Sequence, residues 1–185
     1  MKKSILLAVV ILIASQLSSF GQMKVTGGYL NNEIKASESG FNFSLSGDGF
    51  YVGILGQSPF GDNPNMFFEP GLMFDYVTYK AVGEKTSMYF LRAPLHLRYD
   101  FDFGSKNKFF VNAGPGITFG LGGDDEPFDD DEGFKRFDIN LGLEAGFTLT
   151  DQVDVRLGYD WGLLSMVSEI STHRKGLHVG IAIAF

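Results

Sequence analysis

The sequence predicts an all-β chain: an eight-stranded antiparallel up-and-down transmembrane β-barrel behind a cleaved export leader. Three observations carry that expectation. The N-terminus is basic and then apolar, like a processing signal. Five consecutive segments alternate bulky apolar with small or polar side chains. The chain combines 19 Phe and 24 Gly with no Cys, so very large and very small side chains are available for opposite strand faces.

Lys2 and Lys3 form a charged start, Ile5 to Ile13 an apolar run, and Ser19 and Gly21 stand at −3 and −1 for cleavage before Gln22. The run ends by Leu17, short of the ~20 residues a spanning helix needs. Residues 1–21 are thus expected as a signal peptide and 22–185 as one barrel domain. Net charge is −7, and loss of Lys2 and Lys3 would leave 13 basic against 22 acidic residues. Such a balance, with no basic cluster, argues against nucleic-acid binding. With no Cys, disulfides, thiolate metal sites and lipid attachment through Cys are excluded. No cofactor is expected.

Residues 23–31 and 48–56 are expected as the first two strands, with their facing left open because Gly interrupts both faces. In the next segment Phe68, Leu72, Phe74 and Tyr76 oppose Glu69, Gly71, Met73 and Asp75. Leu91, Ala93, Leu95, Leu97, Tyr99 and Phe101 then oppose Arg92, Pro94, His96, Arg98 and Asp100. Val111 to Leu121, Phe137 to Leu149 and Val153 to Leu163 repeat the pattern on odd positions, against Asn112, Asp138, Glu144, Asp154, Arg156 and Asp160 on even ones. In the last segment Leu177, Val179, Ile181, Ile183 and Phe185 oppose Gly176, His178, Gly180, Ala182 and Ala184. Side chains of a strand alternate between faces, and each segment reaches the ~9–11 residues of a tilted membrane strand.

Closure follows from the solvent. Lipid offers no hydrogen bonds, so every backbone group must pair within the protein and no sheet edge can stay open. The bulky face then meets acyl chains and the charged face turns inward. Tyr99, Phe101, Phe109, Tyr159 and Trp161 are placed for interfacial belts. Short connections near 102–108 and 149–152, against longer ones near 32–47, 79–87, 122–134 and 164–174, put both termini on the periplasmic side of an outer membrane. The connection at 57–65 is long for that scheme.

Glu69, Asp75, Arg92, His96, Arg98, Asp138, Glu144, Asp154, Arg156 and Asp160 are expected to form a polar network in the lumen, with Asp100 and His178 as further inward candidates. Buried charges must pair, and eight strands enclose a space that side chains about fill. The network is therefore read as structural and not as a transport path. His96 and His178 lie within the same set as Glu144 and Asp100, but no spacing joins them to a nucleophile. A lipid-modifying or proteolytic barrel enzyme is the lesser alternative, and no enzyme activity is expected. The acidic run Asp124, Asp125, Glu126, Asp129, Asp130, Asp131 and Glu132 reads as a solvated outer loop. It lacks the spacing of a calcium loop, which leaves Asp129 and Asp131 as weak metal candidates. His173, Arg174 and Lys175 are placed to touch lipopolysaccharide headgroups.

The string Phe90-Leu91-Arg92-Ala93-Pro94-Leu95-His96-Leu97-Arg98-Tyr99 resembles a strand of PorT-like outer-membrane β-barrel proteins of Bacteroidetes-type bacteria. Phe110 to Gly116, Phe137 to Gly142, Tyr159 to Leu163 and the terminal Phe185 resemble that family's later strands. The resemblance implies an eight-stranded barrel, insertion machinery that reads Phe185 and its strand, and accessory work in type IX-like protein secretion. It supplies no catalytic residues. The role expected from the residues themselves is structural or interaction-bearing at the cell surface.

Overall fold

The computed structural model describes residues 21–38, 41–81, 84–102, 107–124, 128, 135–150, 152–165 and 171–185. Eight antiparallel strands close into one barrel in sequence order. They are β1 (Gln22–Glu38), β2 (Phe41–Pro59), β3 (Met66–Ala81), β4 (Glu84–Phe101), β5 (Lys108–Gly123), β6 (Phe137–Thr150), β7 (Val153–Gly162) and β8 (Ser171–Ala184). The seam joins β1 to β8, with Lys24 opposite Ala184 and Ser37 opposite Ser171, so both ends of the barrel domain sit at one rim. The leader lies outside the described residues.

Strand facing follows the alternation. Ile181 is 48% exposed and its neighbour Ala182 is fully buried. In β6, exposed and buried residues alternate from Phe137 to Glu144. The first two strands resolve too: Lys24, Thr26, Leu30, Asn32 and Ile34 of β1 and Tyr51, Leu55 and Gln57 of β2 are buried, while Val25, Tyr29, Phe50 and Val52 face out.

Two expected outer loops are strand instead. Residues placed in loops at 32–47 and 79–87 belong to β1–β2 and β3–β4, which pair as far as Glu38 with Phe41 and Ala81 with Glu84. Their polarity reflects position beyond the apolar band and not loss of pairing. The long connection near 57–65 shortens because β2 runs to Pro59. The turn after it is tight, with Gly61 at φ 67° and Asn63 Oδ1 accepting from the Asn65 amide at 3.0 Å.

Three prolines in mid-barrel strands sit beside breaks in the ladder. Pairing skips 69–70 between β2 and β3, 93–94 between β3 and β4, and 114–115 between β4 and β5. Pro70, Pro94 and Pro115 occupy those breaks, where a missing N–H costs no ladder bond. Close strand approach requires Gly at two sites: a Cβ on Gly49 would lie 1.7 Å from the Tyr76 carbonyl oxygen, and one on Gly28 2.1 Å from that of Val179.

Aromatic rings form two runs on the outer surface. Phe50, Tyr76, Tyr89 and Phe74 pack in sequence across β2–β4, with Tyr159 and Trp161 paired on β7. Tyr99, Phe101, Phe109 and Phe147 form the other run across β4–β6, nearer the termini. Tyr89 and Tyr99 share β4, and ten residues of strand at the usual rise and tilt span roughly 25 Å. That is the height of an outer-membrane apolar band.

Candidate functional site

The lumen carries the densest chemistry. Glu69 of β3 accepts from Lys24 of β1 at 3.5 Å, Arg98 of β4 at 3.3 Å and Asn112 of β5 at 2.8 Å, and it pairs with Arg156 of β7. Asp154 takes Lys24 at 2.7 Å, Arg98 at 2.8 Å and the Thr148 hydroxyl at 2.7 Å. Arg98 also holds Asp100, and its guanidinium lies 3.8 Å from the centre of the fully buried Phe110 ring, with Arg156 at 5.3 Å from the same ring. Such pairing is what allows these ions to leave water.

The mesh continues toward the other rim. Arg156 and Asn112 both donate to Glu144. His178 lies between Glu144 at 3.3 Å and Asp160 at 3.5 Å. Arg92 binds Asp75 through two nitrogens, at 2.9 and 3.3 Å, and reaches Asp160 at 3.2 Å. Glycines make room for the rings: a Cβ on Gly158 would fall 2.2 Å from His178 Nε2, and one on Gly142 2.5 Å from His96 Nε2.

Eight of the ten predicted lumen residues join this mesh: Glu69, Asp75, Arg92, Arg98, Glu144, Asp154, Arg156 and Asp160. His96 and Asp138 are buried but lie outside it. His96 Nε2 has no hydrogen-bond partner among the described residues, and Asp138 accepts from the Leu164 amide. Lys24 was missed, and Asn112, read on the inward face, was not counted into the network. Lys24 is readable only once the facing of β1 is known, and Gly27-Gly28 hides it. Asp129 and Asp131 lie outside the described residues.

Two expectations fail. Arg174 does not face headgroups: it is buried, donates to Thr118 at 2.7 Å and lies 4.7 Å from the Phe90 ring centre. It shares the inward parity of Gly176 and His178, because β8 starts at Ser171 and not at Gly176. The acidic connection is not wholly solvated either. Phe128 is 5% exposed and packs edge-on against Phe90 at 5.7 Å, and Arg136 donates to its carbonyl at 3.1 Å. Asp124, just past the end of β5, ties that end to β4 by accepting from the Ser87 amide at 3.1 Å. The lumen is also less polar than expected, since Leu30, Ile34, Tyr51, Leu55, Met73, Val77, Tyr79, Met88, Phe90 and Phe128 form one buried cluster, drawn mainly from β1–β4.

Beyond the aromatic run, the outer face of β1–β4 turns polar. Asn31 donates to Asp48 at 3.0 Å, Ser44 donates to Glu33 at 2.6 Å, and Lys35 pairs with Glu33 at 3.2 Å. Lys80 pairs with Asp48 at 3.6 Å. Tyr29 also donates to Asp48. The Ser44 hydroxyl first, and then Lys35, hold the Glu33 carboxyl below its ordinary pKa.

A closed barrel with an aliphatic exterior, two aromatic runs and an ion-paired interior defines the transmembrane β-barrel class. Residues 4–181 match the family described as outer membrane protein beta-barrel domain, and the chain belongs to that family. Solved structures agree at the level of fold. Neisserial surface protein A is 19% identical with a TM-score of 0.52, covering 88% of this chain and 97% of its own. The outer membrane enzyme PagL is 12% identical with a TM-score of 0.55, covering 83% and 98%. Ail of Yersinia pestis, in complex with the heparin analogue sucrose octasulfate, is 12% identical with a TM-score of 0.50, covering 90% and 99%. No curated protein matches the sequence. Family membership places the chain in the outer membrane of a Gram-negative bacterium.

Proposed function

We propose that this chain is a non-catalytic outer-membrane barrel with a closed lumen, whose work is done by the polar rim beyond its aromatic run. One observation carries the reading: Glu69 alone ties β3 to β1, β4, β5 and β7 across the lumen. The gap bordered by Leu30, Asn32, Asp75, Arg92, Asp160 and Arg174 has no volume wide enough for a water molecule. An ion path would have to break pairs that keep these charges stable in a dry interior.

Orientation is part of the proposal. The rim bearing both termini has connections at 60–65, 102–107 and 151–152; the opposite rim has two short ones, at 39–40 and 82–83, and the two longest of the barrel, at 124–136 and 163–170. Longer connections face outward in such barrels, so the termini are periplasmic and the β1–β4 rim faces the cell exterior. The partners are then outer-leaflet lipid and the insertion machinery that receives β8. Planar-bilayer recording tests the closed lumen: no stable conductance is expected, and a large steady pore would refute it.

A second reading, an accessory part of a type IX-like secretion apparatus, is supported by the PorT-like strings at 90–99 and 110–116. Affinity recovery of the barrel from native outer membranes separates the two. Stoichiometric secretion components favour the second, and an isolated barrel the first.

A further inference from the structure

We propose that the outer face of β8 and β1 next to Trp161 binds the phosphate group of a membrane-lipid headgroup, through Lys175 with Lys35. The reading above is needed only to say which leaflet supplies that lipid.

Outward positions of β8, read away from the loop rim, run His173, Lys175, Leu177, Val179, Ile181 and Ile183. Cationic side chain gives way to lipid-facing aliphatic in one step. Register sets Lys175 between Trp161 of β7 and Glu33 of β1, and sets His173 beside Lys35. Trp161 and Tyr159 pack at 4.6 Å between ring centres, and such rings mark headgroup depth. Two levels follow along the barrel wall: aliphatic, then aromatic and cationic side by side, since Lys175 is the register partner of Trp161. A phospholipid or glycolipid has the matching order of acyl chain and then polar headgroup with its phosphate.

The charge balance singles out this part of the rim. Lys80 is paired with Asp48, and Lys35 with Glu33. Glu33 also receives the Ser44 hydroxyl, so its acceptor capacity is shared. Lys175 makes no hydrogen bond or ion pair among the described residues and is drawn only electrostatically to Glu33, which Lys35 already pairs, so two lysines share one carboxylate at the depth where lipids carry their phosphates. A Lys stem can lie along Trp161 and Leu177 with its ammonium in the headgroup layer. Phosphate oxygens are strong acceptors for it.

The test uses the whole barrel refolded into phosphatidylcholine vesicles doped with diphosphorylated lipid A, or with lipid A stripped of phosphate. Lipid retained after mild detergent extraction is counted by native mass spectrometry. Wild type is expected to retain the phosphorylated lipid preferentially. Lys175→Glu and Lys35→Glu are each expected to lower retention about tenfold, in line with reversing one lysine's attraction to an anionic surface. Lys85→Glu, at an exposed rim position on β4, is expected to change nothing. Lys175→Gln replaces the charge reversal if that variant fails to insert. Wild-type retention by the Lys175 variants, or equal retention of both lipids, overturns the proposal. Displacement of the lipid by millimolar inorganic phosphate also overturns it, pointing to a free-anion site. These vesicles carry the lipid in both leaflets, so the outcome is independent of orientation. Surface labelling of Ser44→Cys in intact cells reports orientation separately.

Discussion

Arg156 offers the sharpest test of the lumen mesh. Its side chain is 2% exposed, bonds Glu69 and Glu144, and stands 3.6 Å from Asp154. Arg156→Met keeps much of the volume against Phe110 but removes the charge. Glu69, Asp154 and Asp100 would then have only Lys24 and Arg98 as cationic partners, and Glu144 would keep only Asn112 and His178. Breaking a buried pair by deleting one partner costs about 3–5 kcal/mol. At a urea slope near 2 kcal/mol per molar, the unfolding midpoint falls by roughly 1.5–2.5 M. Trp161, the sole Trp of the chain, faces the lipid boundary, so its fluorescence follows unfolding in vesicles. The double variant Arg156→Met/Glu144→Gln removes one stranded carboxylate and is expected to recover about 1–3 kcal/mol relative to additivity. A single variant within about 0.5 kcal/mol of wild type, the range of surface substitutions, would refute the mesh as an energetic unit. So would a double variant at least as unstable as the summed singles.

Three further outcomes follow from the same geometry. Ile181→Arg, pointing into lipid, is expected to cost about 2–4 kcal/mol near the midplane, with Ala182→Ser far milder; equal losses by refolding yield and urea midpoint would mean the faces are misassigned. Phe128→Ala is expected to speed amide exchange at Gly120, whose N–H bonds the Arg136 carbonyl at 2.6 Å, while leaving β6–β8 protected; unchanged exchange would show that Phe128 does not hold the mouth. Ser44→Ala is expected to raise the titration midpoint of Glu33, which the Ser44 hydroxyl holds below its ordinary value; NMR titration reads the change. Because that midpoint lies below its unfolded value, the pairing stabilises the rim above the unfolded pKa and is lost as pH falls through the folded one. No change in the midpoint would remove the Ser44–Glu33 bond from the account.

Legibility in the sequence followed the solvent each face meets. From β3 to β8 the outward face meets lipid and the inward face holds ions, so Leu143 beside Glu144 or Leu157 beside Arg156 reads plainly. In β1, β2 and the outer ends of β3 and β4 that contrast inverts: Leu30, Ile34, Tyr51, Val77, Tyr79 and Met88 turn inward while Asn31, Glu33, Ser46, Asp48 and Lys80 turn outward. Past the aromatic run the outside is water and the inside is an apolar core, and alternation carries no label for which solvent applies. Gly27, Gly28, Gly49 and Gly53 blur the phase further, because strand crowding and not polarity selects them. Which carboxylate meets which guanidinium was not legible. Lys24 and Asp154 are 130 residues apart, and only the stagger of a closed barrel brings them together.

That separation bears on how the protein enters its membrane. Lys24 lies on the first strand, its partners Glu69 and Asp154 on the third and seventh, and the Glu69–Arg156 pair joins the third to the seventh. A half-built sheet would present bare ions to hydrocarbon, at a cost of several kcal/mol for each. No hairpin of this chain carries its own counter-charges for the whole set. Passage from water to bilayer is therefore tied to completion of the circle: shortened fragments are stranded at the interface, and the finished barrel is held in place by the same charges that bar its partial forms.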